Sequence, residues 1–143
     1  MSDQIGDAGE SPGFLLWRVT QRWQRTIVAA LRPLDLTHAQ FVLLMSTWWL
    51  VDHDGPPTQQ AVADHAGTDP MMTSQVLRKL ADRDLVVRKP DPADARARRL
   101  ELTAAGRQLL TAALADVERA DREYFAAAGK DVAGLVRGLR RLR

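Results

Sequence analysis

Residues 69–103 read DPMMTSQVLRKLADRDLVVRKPDPADARARRLELT, and the fold turns on their pattern. Asp69-Pro70 is a helix start, a capping side chain followed by the residue whose fixed φ suits the first helical position. Val76, Leu77 and Leu80 give the helix that follows a buried side. Beyond Asp84 the period changes. Leu85-Val86-Val87-Arg88-Lys89 is short and β-branched, Pro90-Asp91-Pro92-Ala93-Asp94 is turn-forming, and Arg99-Leu100-Glu101-Leu102 alternates. Leu100 and Leu102 should point inward while Arg99 and Glu101 point outward, the side-chain period of a strand. The stretch therefore predicts a helix followed by a two-stranded hairpin around a polar, proline-bearing loop.

Working outward, residues 14–31 carry Leu16, Val19, Trp23, Ile27 and Leu31 at helical spacing, with Arg18, Arg22 and Arg25 opposite. Pro33 ends that helix. Thr37 is a cap for a second helix running to about residue 50, with Gln40 at the capping-box position and Phe41, Leu44, Met45 and Trp48 on one stripe. Asp54-Gly55-Pro56-Pro57 breaks it. Thr58 caps a short helix over 59–65 whose small apolar side is Ala61 and Val62, and Gly67 is its natural stop. Two short helices joined through a glycine-bearing turn, 59–65 and the one beginning after Asp69, are a helix-turn-helix.

Downstream, Thr103 caps a long helix to about residue 127, striped by Leu110, Ala113, Leu114, Val117, Ala120 and Tyr124. Gly129 separates it from a last helix bearing Val132, Leu135, Val136 and Leu139. Residues 1–13 hold three glycines, a proline and three acids with almost no apolar content, the composition of a disordered tail. The fold class is mainly α with a small β-hairpin wing: a winged helix-turn-helix lobe over 37–103, and terminal helices over 14–36 and 104–143. One small winged lobe cannot cover every apolar stripe on those terminal helices, which leaves surface for a second copy of the chain.

The chain has 143 residues and no cysteine, which excludes disulfides, cysteine-ligated zinc and thiol-based redox sensing. No apolar run approaches the length of a bilayer span, and no basic stretch precedes an apolar one at the N-terminus, so a cytoplasmic protein with no membrane partner is expected. A net charge of +2 says little by itself, but its distribution is uneven. Residues 33–77 contain no Lys or Arg. Residues 68–103 contain eight, Arg78, Lys79, Arg83, Arg88, Lys89, Arg96, Arg98 and Arg99, against six acids, so this segment alone carries the excess of two. A basic cluster on a near-neutral chain is the footprint of a polyanion site; on charge alone, a solvated face accounts for it equally well.

The second helix of a helix-turn-helix enters the major groove and offers its N-terminal residues to base edges. Its outward stripe here is Met71, Ser74, Gln75 and Arg78, flanked by Met72 and Lys79. Gln pairs with adenine, Arg with guanine, and Met packs on a thymine methyl. Thr73 and Ser74 suit phosphate oxygens near a helix N-terminus, where the dipole favours anions. Taken singly these are ordinary solvated residues. The adjacent hairpin arm, with Arg96, Arg98 and Arg99, shifts the balance because the minor groove attracts arginine. A winged module that binds a protein instead of DNA is the alternative, and it has no need of three arginines beside a Gln- and Arg-bearing helix.

In Asp91-Pro-Ala-Asp94-Ala-Arg96-Ala-Arg98-Arg99-Leu100-Glu-Leu102-Thr103 the sequence resembles the wing signature of the MarR family of bacterial transcriptional regulators, with its Asp94-x-Arg96 pair and Leu100-x-Leu102-Thr103 ending. Residues 68–89 resemble that family's recognition helix and first wing strand, and the helix order fits from residue 14 onward. The resemblance implies double-stranded DNA as partner and a homodimer with intertwined terminal helices and two winged lobes over consecutive major grooves. It also implies a minor-groove contact by Arg96, its arm held by Asp94 through an ionic hydrogen bond. Asp is equally a turn-former at such a position.

The same resemblance implies a small aromatic or anionic effector. Trp23 and Trp48 lie on core stripes, whereas Trp17 and Trp49 fall off them and are candidates for an effector pocket or, more simply, for packing at the dimer seam. His38, His53 and His65 fall on three different elements without ligand-like spacing, so no metal or other cofactor is expected. The sequence contains no P-loop, GxSxG or HExxH pattern, and an enzyme is not expected.

Overall fold

The computed structural model describes residues 11–143; most of the tail expected over 1–13 lies outside the described residues. The first helix, α1, is Pro12–Leu31, starting two residues ahead of the expected position because Ser11-Pro12 supplies an extended residue and a proline for its first turn. Pro33 stops it in a single 3-10 turn, Arg32–Leu34, followed by Asp35 at φ 53°. Thr37 and Gln40 form a reciprocal capping box, each backbone N–H donating to the other's side chain at 3.1 Å, and α2 (His38–Asp54) follows. It runs four residues beyond the expected end and stops only at Gly55, whose φ is 84°. His38 and His53 consequently share one helix, so the three histidines occupy two elements and not three.

Thr58 caps α3 (Gln59–Ala66), Gly67 turns the chain at φ 68°, and Asp69 caps α4 (Pro70–Asp82) by accepting from the Met72 N–H at 2.9 Å. These caps satisfy backbone donors that helix starts otherwise leave open. β1 (Val86–Pro90) and β2 (Arg98–Leu102) then pair antiparallel, with Val86 opposite Leu102 and Arg88 opposite Leu100. Leu100 and Leu102 are buried while Arg98 is exposed, as the alternation requires. An isolated bridge between Thr58 and Arg99 and a bond from the Leu100 N–H to the Pro57 carbonyl (2.9 Å) attach β2 to the segment before α3. The core joins α1 (Ile27, Leu31), α2 (Leu43, Leu44), α3 (Val62), α4 (Leu77, Leu80) and the hairpin.

Thr103 caps α5 (Ala104–Phe125), and its backbone N–H donates to the Leu85 carbonyl oxygen at 3.1 Å. Gly106 packs against that same oxygen; a Cβ at 106 would overlap it, so only glycine permits the approach. A 3-10 stretch, Ala126–Asp131, turned at Gly129, leads to α6 (Val132–Leu142). α1 and α5 lie side by side, joined by the Trp23 indole N–H donating to Asp121 at 2.8 Å. α6 buries no residue of its own, and Leu135, Val136, Leu139 and Leu142 remain exposed, as do Phe14, Leu15 and Leu16 on α1. Among the described residues, no single helix is long and apolar enough to cross a membrane.

Candidate nucleic-acid interface

The α4 helix presents the side chains that its periodicity predicts, with one exception. Met71, Gln75, Arg78 and Lys79 are exposed, Met71 to 71 %, while Met72 and Ser74 are half-buried. Thr73 is fully buried and is no phosphate contact. Its hydroxyl donates to the Asp69 carbonyl at 2.8 Å and pairs with the Thr68 hydroxyl at 2.6 Å. At four and seven residues before Leu77 and Leu80 it shares their inward face, and a buried hydroxyl must find partners inside the protein.

The eight cations of residues 68–103 divide into two groups. Arg83 donates to the Asp35 backbone oxygen at 2.7 Å, and Lys89 pairs with Glu101 at 2.8 Å. Arg99 pairs with Asp91 at 2.8 Å, and Arg88 lies against α4, donating to the Ser74 carbonyl at 3.4 Å. The other four, Arg78 and Lys79 on α4 and Arg96 and Arg98 on the wing, are exposed and have no ion-pair partner among the described residues. Of the three wing arginines expected to form one free arm, Arg99 is thus engaged internally.

Asp94 holds the wing tip, but not through a guanidinium. Its carboxylate accepts from the backbone N–H of Arg96 at 3.0 Å, the two-residue reach of an Asx turn, while the Ala97 N–H donates to its carbonyl at 3.1 Å. The expected ionic bond between Asp94 and Arg96 is replaced by this backbone bond, which leaves the Arg96 side chain free for a partner. Asp91, which the sequence pattern marked only as part of a turn, is the most connected residue of the loop. Its carboxylate accepts from the Ala93 N–H at 2.9 Å and from Arg99 Nε, and these bonds hold its pKa below the usual carboxylate value.

The candidate effector residues do not come together. Trp17 is 63 % exposed. Trp49 stacks with the imidazoles of His53 and His65, at centroid separations of 3.9 and 4.8 Å. Two apolar grooves, of about 700 and 990 Å³, lie instead between α1, α5 and α6, lined by residues such as Leu16, Val19, Phe125, Leu135 and Leu139, and neither Trp17 nor Trp49 lines them. Trp17 falls off the α1 stripe that faces the grooves, and Trp49 belongs to α2, which does not line them. Among the described residues no three His, Asp or Glu side chains converge as metal ligands.

The family model described as the MarR family matches residues 36–97, the helix-turn-helix and the wing tip. YdcH, an uncharacterised HTH-type transcriptional regulator of Bacillus subtilis, is 46 % identical over 120 residues, covering 84 % of this chain and 82 % of that one. A solved structure of a MarR mutant from Escherichia coli complexed with operator DNA superposes with a TM-score of 0.84 at 25 % identity, covering 97 % of this chain and 98 % of that one. BpsR of Bordetella bronchiseptica, whose DNA binding is regulated by 6-hydroxynicotinic acid, superposes with a TM-score of 0.81 at 27 % identity, covering 91 % and 96 %. With an exposed Gln- and Arg-bearing helix beside a wing carrying two free arginines, and with these likenesses spanning most of its length, the chain belongs to the MarR family of winged helix-turn-helix, DNA-binding transcriptional regulators.

Proposed function

We propose that the protein represses transcription in the cytoplasm by binding a pseudo-palindromic operator as a homodimer, and that it performs no catalysis. The observation that carries this reading is the distribution of free cations, two on α4 and two on the wing, in a segment whose other cations are neutralised or held internally. Residues 37–103 form the DNA-binding lobe. Gln75, Arg78 and Met71 read base edges in the major groove, with Met72 beside them; Ser74 and Lys79 meet phosphates, and Arg96 and Arg98 anchor in the minor groove. Residues 14–36 and 104–143 are the dimerisation helices, because their exposed Leu, Val and Phe side chains and the grooves between them are surface that a second copy covers. The dimer's twofold axis then gives half-sites about one helical turn apart.

A small aromatic or anionic effector releases the operator; BpsR, with its pyridine-carboxylate regulator, supports that ligand class. Selection of bound duplexes from random DNA tests the whole reading. A recovered pseudo-palindrome whose binding is strongly weakened by Arg96→Ala, with melting temperature unchanged, is the expected result. Recovery of sequences with no common motif overturns it.

A further inference from the structure

We propose that Arg99 is a positioning residue: through Asp91 on one side and Pro56 on the other, it fixes the pitch of the wing against the helix-turn-helix so that Arg96 reaches the minor groove. Charge and position alone make Arg99 a DNA contact like its neighbours. Its guanidinium is spent otherwise. Nε donates to Asp91 Oδ2 at 2.8 Å and Nη1 to the Pro56 carbonyl at 3.2 Å, so one planar group ties the wing loop to the α2–α3 connection 43 residues away. The backbone repeats the link one residue on, where the Leu100 N–H donates to the Pro57 carbonyl. Arg99 is suited to this because a guanidinium offers several donors in a fixed plane, which a lysine does not.

Asp91 passes that restraint to the tip. Its side chain is 8 % exposed, its backbone N–H donates to the Ala97 carbonyl at 3.1 Å, and its carbonyl accepts from the Asp94 N–H at 3.3 Å. Asp94 in turn accepts from the Arg96 N–H. A continuous chain of bonds therefore runs from Pro56 through Arg99, Asp91 and Asp94 to the backbone of Arg96. Without Arg99, a largely buried carboxylate loses its cation and the chain is cut at its root.

The inference rests on the wing being a DNA-contacting element, and its test separates the two ideas by the sign of one effect. Asp91→Ala removes a negative charge near a polyanion, so pure electrostatics makes DNA binding tighter. Positioning makes it weaker, by about tenfold, the scale of a broken coupled network. Binding to an operator duplex recovered by selection is measured for Asp91→Ala, Arg99→Ala and their double variant, each alone and combined with Arg96→Ala. Arg99→Gln serves in place of Arg99→Ala should the latter melt below the assay temperature. The expected results are weakened binding by each single variant, a double variant no weaker than either single, and an Arg96→Ala effect that shrinks when Arg99 is absent. Arg96 and Arg99 are not bonded to each other, so mere destabilisation would leave that Arg96 effect unchanged. Tighter or unaltered binding by Asp91→Ala, additive losses, or an undiminished Arg96→Ala effect overturns the positioning role. Wild-type binding that is insensitive to Arg96→Ala overturns the wing reading itself.

Discussion

The salt dependence of operator binding counts the cations that the fold leaves free, and the structure sets its magnitude. Within residues 68–103, four cations per protomer, Arg78, Lys79, Arg96 and Arg98, are both exposed and without an ion-pair partner among the described residues, so twice four face DNA in a dimer. Each cation brought against the duplex, whether in a groove or at a phosphate, offsets about one phosphate charge and contributes about −0.9 to the slope of log affinity against log salt, giving about −7. Raising monovalent salt from about 50 to about 200 mM should then weaken binding by about 10⁴-fold. If all eight cations of residues 68–103 engaged DNA, sixteen per dimer would give about −14 and a loss above about 10⁸-fold. Fluorescence anisotropy with a labelled operator across that salt range distinguishes the two. Arg98→Gln should reduce the magnitude of the slope by about 2, one contact per protomer, whereas Lys89→Gln, which breaks a neutral pair with Glu101, should leave it unchanged. A slope steeper than about −10, or a Lys89→Gln slope that falls as far as that of Arg98→Gln, refutes the assignment of free and engaged cations.

Gln75→Ala and Arg78→Ala should each relax base preference at one operator position by about 1–3 kcal/mol, read by competition with single-base operator variants; uniform weakening across all variants would assign them to the backbone instead. Gly106→Ala should lower stability by about 1–3 kcal/mol in thermal or urea unfolding, since a methyl there overlaps the Leu85 carbonyl, and an unchanged melting temperature would remove that contact from the account. Burial beside the Trp23 ring lowers the His38 pKa from 6.5, so the unfolded chain binds the proton more readily than the fold does. Stability should therefore fall as pH drops below about 6.5 and level off below the folded pKa, and His38→Gln should flatten that dependence in melting temperatures taken from pH 7.5 down to 5.

Most of the fold is legible in the sequence because it is decided locally. Thr37 with Gln40, Thr58, Asp69 with Pro70 and Thr103 each cap a helix within four residues, and Leu100 and Leu102 face the core on a two-residue period. Apart from the Asx turn at Asp94 and the shifted ends of α1 and α2, the departures are long-range or rotational. Arg99 alternates outward as expected, yet nothing near it in the chain announces that the Pro56 carbonyl waits 43 residues earlier. Arg88 likewise meets Ser74 through tertiary packing. Thr73 stands one helical step from the outward stripe, about 100° of rotation, and that step decides between solvent and core. Trp49 and His53 stand four residues apart on α2, one helical turn, but the stacking of His65 from α3 on Trp49 comes from tertiary packing.

The contact at Gly106 turns α5 and the wing into a single lever with almost no slack. The Leu85 carbonyl is gripped by the Thr103 N–H and pressed by Gly106, so the root of α5 cannot slide past the base of the hairpin. A rotation of α5 is passed through this contact to the base of the hairpin, against the restraint that the Pro56 and Pro57 carbonyls place on β2. The wing tip lies about five strand residues beyond that fulcrum, roughly 17 Å, so a tilt of about 10° carries Arg96 by about 3 Å. A hydrogen bond tolerates a few tenths of an ångström. A displacement of α5 is thereby felt at a side chain far from it, and what permits the coupling is one missing methyl group.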